Sequence, residues 1–184
     1  MTLRQKTLLM AGLAVSIFSL TLVFFANAIL LDSFSLVERK EAEDNVSRAV
    51  NAVNAEIDSL GAFLADWTVW DDSYQFAAAP DSEFVRKNLT VATFGTQRID
   101  LMVILDSSNR LIYGTVYDSM AKAFLPISGE MMNLFQPASP LLRQAASGGA
   151  VRGLVLAPES PLLLAARPIL DSEEQQPMRG VMIV

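Results

Sequence analysis

The chain has 184 residues, 52% of them hydrophobic and 18% charged, and a net charge of −6. It has no cysteine and no histidine, which excludes disulfides, thiolate metal sites, cysteine nucleophiles and any histidine-based triad or metal site within it. The acidic balance argues against nucleic-acid binding, which needs a basic footprint, and no cofactor or metal is expected.

The apolar residues are concentrated at the N-terminus. Thr7 to Leu31 is a run of 25 residues without a charge, 19 of them hydrophobic. As a helix it spans roughly 37 Å, more than the roughly 30 Å of a bilayer core. Arg4 and Lys6 precede it and Asp32 is the first acidic residue, so the positive-inside rule predicts a cytoplasmic N-terminus and an exported remainder. A cleaved signal peptide is the competing reading, since Ala26-Asn27-Ala28 fits a cleavage site. The run exceeds the usual h-region of about 7–15 residues, which favours an uncleaved anchor. The expected division is residues 1–31 as cytoplasmic N-terminus and transmembrane anchor, and 32–184 as an extracytoplasmic domain. That domain holds all 20 acidic residues and 12 of the 14 basic ones, a formal charge of −8.

Beyond the anchor the period stays helical. Val46, Val50, Val53, Ile57, Leu60, Leu64 and Trp67 form an alternating four-three stripe over three heptads. No proline interrupts Asp32 to Ala79, and Gly61 is the one glycine there. This predicts a long helix from the bilayer to about Asp72. The stripe can pack on its own domain, or its membrane-proximal half can be the seam of a homodimer.

At the end of this helix stands Asp66-Trp67-Thr68-Val69-Trp70-Asp71-Asp72-Ser73-Tyr74-Gln75-Phe76, which holds both tryptophans of the chain. On one continuous helix Trp67, Trp70, Asp71 and Tyr74 would lie within about a 100° arc. Rings with polar tips beside a carboxylate can wall a small-molecule pocket or bind an organic cation. They can equally plug the core while the aspartates cap nearby backbone.

Pro80-Asp81 ends the helical run, and Asp81 to Leu89 reads as a short helix capped by Asp81 or Ser82. Ile99 to Leu105 and Arg110 to Val116 read as a hairpin around Asp106-Ser107-Ser108-Asn109. Pro126 to Ala146 is mainly helical, broken near Pro137 and Pro140, and Gly148-Gly149 marks a loop. Val151 to Leu156 and Leu162 to Ile169 are strands around the turn Ala157 to Pro161, with Pro168 marking an edge or bulge. Arg179 to Val184 opens a fifth strand. The predicted fold is α+β: the anchor continues into a long helix packed on a PAS-like or Cache-like antiparallel sheet of five strands. The closing Gly180-Val181-Met182-Ile183-Val184 has no polar tail, and a longer parent protein is expected.

The order of these features resembles the CHASE family of extracytoplasmic sensory domains, type four. The resemblance rests on Asp66-Trp67-x-x-Trp70-Asp71-Asp72-x-Tyr74-x-Phe76, on Asn88, on Leu101 to Asp106, and on Pro161 to Ile169 leading to Gly180. It covers roughly Leu36 to Val184. It implies a bacterial or archaeal inner-membrane receptor whose sensory domain lies between two transmembrane helices. Such a domain feeds a diguanylate cyclase, a cyclic-di-GMP phosphodiesterase or a histidine kinase. The second membrane helix and the output are missing from this chain, which departs from the family pattern.

The leading expectation is a non-enzymatic, ligand-sensing input domain. Trp67, Trp70, Asp71 and Tyr74 are its expected pocket wall, with Arg167 as an anion partner for an unknown small molecule. Arg167 stands in an otherwise apolar strand, and a structural pair with Asp71 or Asp72 is its alternative role. The runner-up function is a membrane-anchored structural or dimerisation module without a small ligand, in which the aromatic segment only locks helix to sheet. An exported hydrolase fits poorly, because four lysines and no histidine leave little acid–base chemistry.

Overall fold

The computed structural model describes residues 2–147, 149–157 and 160–184, without the side chains of 28–36 and 146. Contacts divide the chain into two units, Met1–Ala52 and Val53–Val184. Helix α1 is Leu3–Thr68. Within the first unit, Leu3–Asn27 is long and apolar enough to cross a membrane, and none of it is buried. The last residues of the expected anchor, 28–31, have no described side chains. Arg39 and Glu43 pair at 3.1 Å one turn apart, both exposed. Val46 and Val50 of the heptad stripe are exposed as well.

The second unit is a three-layer α/β/α sandwich. Helices α2 (Asp71–Ala78), α3 (Ser82–Asn88) and α4 (Val91–Gln97) follow α1. Strands β1 (Leu101–Asp106), β2 (Leu111–Asp118) and β3 (Ala123–Leu125) come next. Then come α5 (Gly129–Met132), a 3-10 turn at Asn133–Phe135 and α6 (Pro140–Ala146). Strands β4 (Val151–Leu156), β5 (Pro161–Ile169) and β6 (Gly180–Ile183) complete the antiparallel sheet, in the order β3-β2-β1-β6-β5-β4.

Six strands form where five are expected. The extra one, β3, is three residues long and pairs through Val116–Leu125 to Asp118–Ala123. So short a segment carries no readable period of two. Helix α4 also lies outside the expected elements. Thr90 caps it by accepting the Thr93 N–H at 3.2 Å, and Arg98 ends it in the left-handed region at φ 55°. Asp81 caps α3 by accepting the Phe84 N–H at 2.7 Å. Ser139 caps α6 in the same manner with Pro140 in its first turn, so the helical stretch breaks at the prolines as expected. The expected loop residue Gly148 and turn residues Pro158 and Glu159 lie outside the described residues.

Both faces of the sheet are covered, which is why all six residues of β1 are buried. Met102 and Ile104 point to the face under α1–α4, among Leu64, Phe94, Ile169 and Met182. Leu101, Val103 and Leu105 point to the opposite face, among Phe135, Leu142, Val181 and Ile183. Pro168 lies beyond Ala166, the last β5 residue paired with β4. There β5 is locally an edge, so the missing N–H leaves no ladder bond unmade.

The β1–β2 turn is held by one carboxylate. Asp106 Oδ1 accepts the Ser108 N–H at 2.8 Å and the Arg110 N–H at 2.9 Å, and Oδ2 accepts Arg110 Nε–H at 2.7 Å. Burial pushes the Asp106 pKa up, but the hydrogen bonds from Arg110 and Ser108 outweigh it and hold it below the usual value. A depressed folded pKa stabilises fully above the unfolded value, about 3.9, and that stability fades as pH falls through the folded pKa. Asp106→Asn should therefore cost about 1–2 kcal/mol at neutral pH. In thermal unfolding over a pH series, the gap between variant and wild type should narrow below about pH 4. A gap that stays constant down to acid would remove Asp106 as a source of acid sensitivity.

Candidate functional site

The aromatic segment does not continue the long helix. α1 ends at Thr68, and Trp70 is extended (φ −148°, ψ 128°) before α2 begins. The backbone between them is taken by the sheet. Val69 forms a parallel bridge with Leu170, and the Leu170 N–H donates to the Thr68 carbonyl at 2.8 Å. A β-branched residue suits that extended geometry. The expectation of one helical face bearing Trp67, Trp70, Asp71 and Tyr74 is corrected accordingly. These residues come together across a break.

What the break assembles is a ladder of rings. Phe63 and Trp67 have centroids 5.1 Å apart, Trp67 and Trp70 5.8 Å, and Trp70 and Phe84 5.9 Å. Phe84 stacks on Phe76 at 4.4 Å. The ladder joins α1, α2 and α3 over the sheet, with both tryptophans partly buried against the core.

Asp71 and Tyr74 reach the connection between β5 and β6. Asp71 lies in the first turn of α2 and accepts the Ser172 N–H at 3.0 Å. That backbone bond, with a second from the Ser172 side chain, lowers the pKa of Asp71 against a small opposing effect of burial. Tyr74 is buried, its hydroxyl donates to the Pro177 carbonyl at 2.9 Å, and Arg179 sits 4.0 Å from the ring centroid. Asp171 accepts the Gln176 N–H at 2.9 Å within the same connection. The carboxylate and the phenol therefore clamp the start of α2 to the β5–β6 connection, while the ring ladder joins it to α1 and α3. Composition alone did not point to Ser172, Pro177 and Arg179 as partners, because each lies about a hundred residues downstream.

Arg167 is placed apart from that clamp. It is half-buried on β5 and lines a cleft of about 330 Å³ with Gly61, Leu64 and Arg152. No ion pair joins it to Asp71 or Asp72 among the described residues. A roomier cavity, about 470 Å³, lies on the other face of the sheet. It runs between the 3-10 turn, α6 and strands β4 and β5, with Leu134, Leu141, Val155 and Leu164 as apolar lining and Asn133, Gln136 and Ser139 as polar groups. Mostly apolar walls with a few convergent polar groups are what a small organic ligand requires. Among the described residues no three acidic side chains converge where a metal could sit.

The fold is similar to two solved sensor-protein domains. One is the extracellular domain of vpHK1S-Z8, with TM-score 0.57 and 17% identity over 78% of this chain and 56% of that one. The other is a domain of a sensory box/GGDEF family protein from Vibrio parahaemolyticus, with TM-score 0.57 and 15% identity over 78% of this chain and 58% of that one. In sequence the chain is 25% identical, over all 184 residues, to the methanogenesis regulatory histidine kinase FilI of Methanothrix harundinacea. It spans 21% of that relative's length. The CHASE4 domain family matches residues 52–184, the whole of the sandwich with its covering helices, and the chain belongs to that family.

Proposed function

We propose that the chain is the extracytoplasmic sensing input of a membrane-bound signalling receptor. The observation that carries this is the order of parts: a charge-free span with basic residues before it, then a CHASE4 domain over residues 52–184. In this reading the apolar span is a membrane anchor, the N-terminus is cytoplasmic and the sandwich is outside. The relation to FilI favours a histidine kinase as the output.

The ligand of this input is a small molecule, and the cavity beneath α6 is the best sized for it. The clamp of Trp67, Trp70, Asp71 and Tyr74 then serves as coupling. Its rings and hydrogen bonds tie α1 and α2 to the sheet and to the β5–β6 connection. A shift of the sheet is felt at the end of α1, and a ligand moves that equilibrium only by binding one arrangement better than the other. The exposed Val46 and Val50 supply the apolar seam of a homodimer.

Reporter fusions test the topology. Alkaline phosphatase joined after Val184 should be active, and a fluorescent protein at the same point dark. The reverse pattern would put the sandwich in the cytoplasm and end the reading. On the full chain in detergent micelles, a metabolite screen by thermal shift should yield compounds whose effect disappears in Leu141→Trp, which fills the cavity. Hits that bind this variant unchanged would remove the cavity beneath α6 as the ligand site.

A further inference from the structure

We propose that the cleft between α1 and the β4–β5 hairpin is a second site, one that binds a small oxyanion through Arg152 and Arg167. Arg152 pairs with Ala165, Ala165 belongs to the core on the α1 side of the sheet, and Arg167 stands two residues further along β5. Both arginines therefore leave the same face, at diagonal positions with Cβ atoms about 7 Å apart. Both line the cleft of about 330 Å³, which has room for a small anion.

Charge is the second observation. Arg152 Nη1 lies 3.0 Å from Asp58 Oδ1, while Arg167 has no ion pair among the described residues although it is half-buried. Two arginines line the cleft and only one of them is paired among the described residues, which leaves the cleft positive. Adjacent like charges repel, and an oxyanion that bridges them removes the repulsion. A planar guanidinium fork matches carboxylate or phosphate oxygens two at a time.

The helix contributes the third observation. Gly61 is the one glycine between Asp32 and Ala79. A Cβ there would meet Arg152 Nη1 at 3.0 Å and Cδ at 3.5 Å. A glycine inside a helix is less favourable than alanine, and at this turn it leaves room for the guanidinium against the helix. The pair that now holds Arg152 is weak. Its side chains are 53% and 66% exposed, and exposed pairs contribute little. Asp58 thus stands in for the anion and gives way to it. Binding transfers Arg152 from α1 to the ligand and leaves Asp58 without its partner. Only the use of that transfer as a signal rests on the sensor reading; the binding itself does not.

The test uses the full chain in a non-ionic detergent, with inorganic phosphate and malonate as probes and chloride at matched ionic strength as control. At least one oxyanion should raise the unfolding midpoint in a saturable manner. Saturation by phosphate alone assigns a phosphate group, and saturation by malonate alone a carboxylate. Arg152→Gln and Arg167→Gln should each weaken apparent affinity about tenfold. Asp58→Asn, which removes the competitor, should tighten it. Gly61→Leu fills the cleft without altering charge and should abolish binding, so the site stays testable if an arginine variant misfolds. Oxyanions that act no differently from chloride, or that saturate equally well in Gly61→Leu, overturn the site. Weaker binding in Asp58→Asn overturns the displacement. If binding behaves as expected while the fusions report a cytoplasmic domain, the site stands and the sensor reading falls.

Discussion

Gly180→Ala is expected to destabilise the sandwich by about 3 kcal/mol. Gly180 opens β6, which lies in the middle of the sheet between β1 and β5, opposite Asp106 on one side and Ile169 on the other. A Cβ there would stand 2.1 Å from the Leu105 carbonyl oxygen and 3.4 Å from the Asp106 Cα. These are backbone atoms of a strand paired on both edges, so no side-chain rotation makes space. Either β6 separates from β1 at its first pair or β1 bends, and both disturb the turn that Asp106 holds. A loss of this size is a large share of the roughly 5–15 kcal/mol that stabilises a typical domain. Urea unfolding of the full chain in detergent, followed by tryptophan emission, measures it. A loss under about 1 kcal/mol would show that β1 and β6 have slack at this pair.

Phe84→Ala should cost about 3–5 kcal/mol. Phe84 is buried at the junction of the ring ladder, stacked on Phe76 at 4.4 Å and beside Trp70 at 5.9 Å. Its removal leaves a void that rings fixed on α1 and α2 cannot collapse into. Trp67 and Trp70 are the chain's two tryptophans, so the native emission spectrum reports the damage directly and should shift to the red. Phe84→Leu, which keeps most of the volume, should cost less than half as much. If Phe84→Ala leaves stability and emission unchanged, the ladder is a surface ornament and the tryptophans are free to wall a pocket instead.

Particular elements show how far the sequence reaches. The apolar span, the hairpin around Asp106, the break at the prolines before α6 and the meander of the last three strands were all legible. Each is a local property, written in hydrophobic period, turn chemistry or a missing N–H. β3 was not legible, because three residues carry no period. The break after Thr68 was not legible either. The helical spacing runs on through Trp67, Trp70, Asp71 and Tyr74, yet Val69 and Trp70 are extended because Leu170, a hundred residues on, pairs with the backbone there.

The candidate site divides along the same line. The sequence by itself determined which residues are unusual: two tryptophans and several aspartates in one short segment, an arginine in an apolar strand, and one glycine in a long helical stretch. Tertiary structure alone decided what they touch. It turned Asp71 and Tyr74 toward Ser172 and Pro177, and it laid Arg152 over Gly61 beside Arg167. The physical reason is range. Helix and turn preferences act over a few residues, whereas strand register and sheet-face packing join residues about a hundred positions apart, and only there do rings become a clamp and two arginines a cleft.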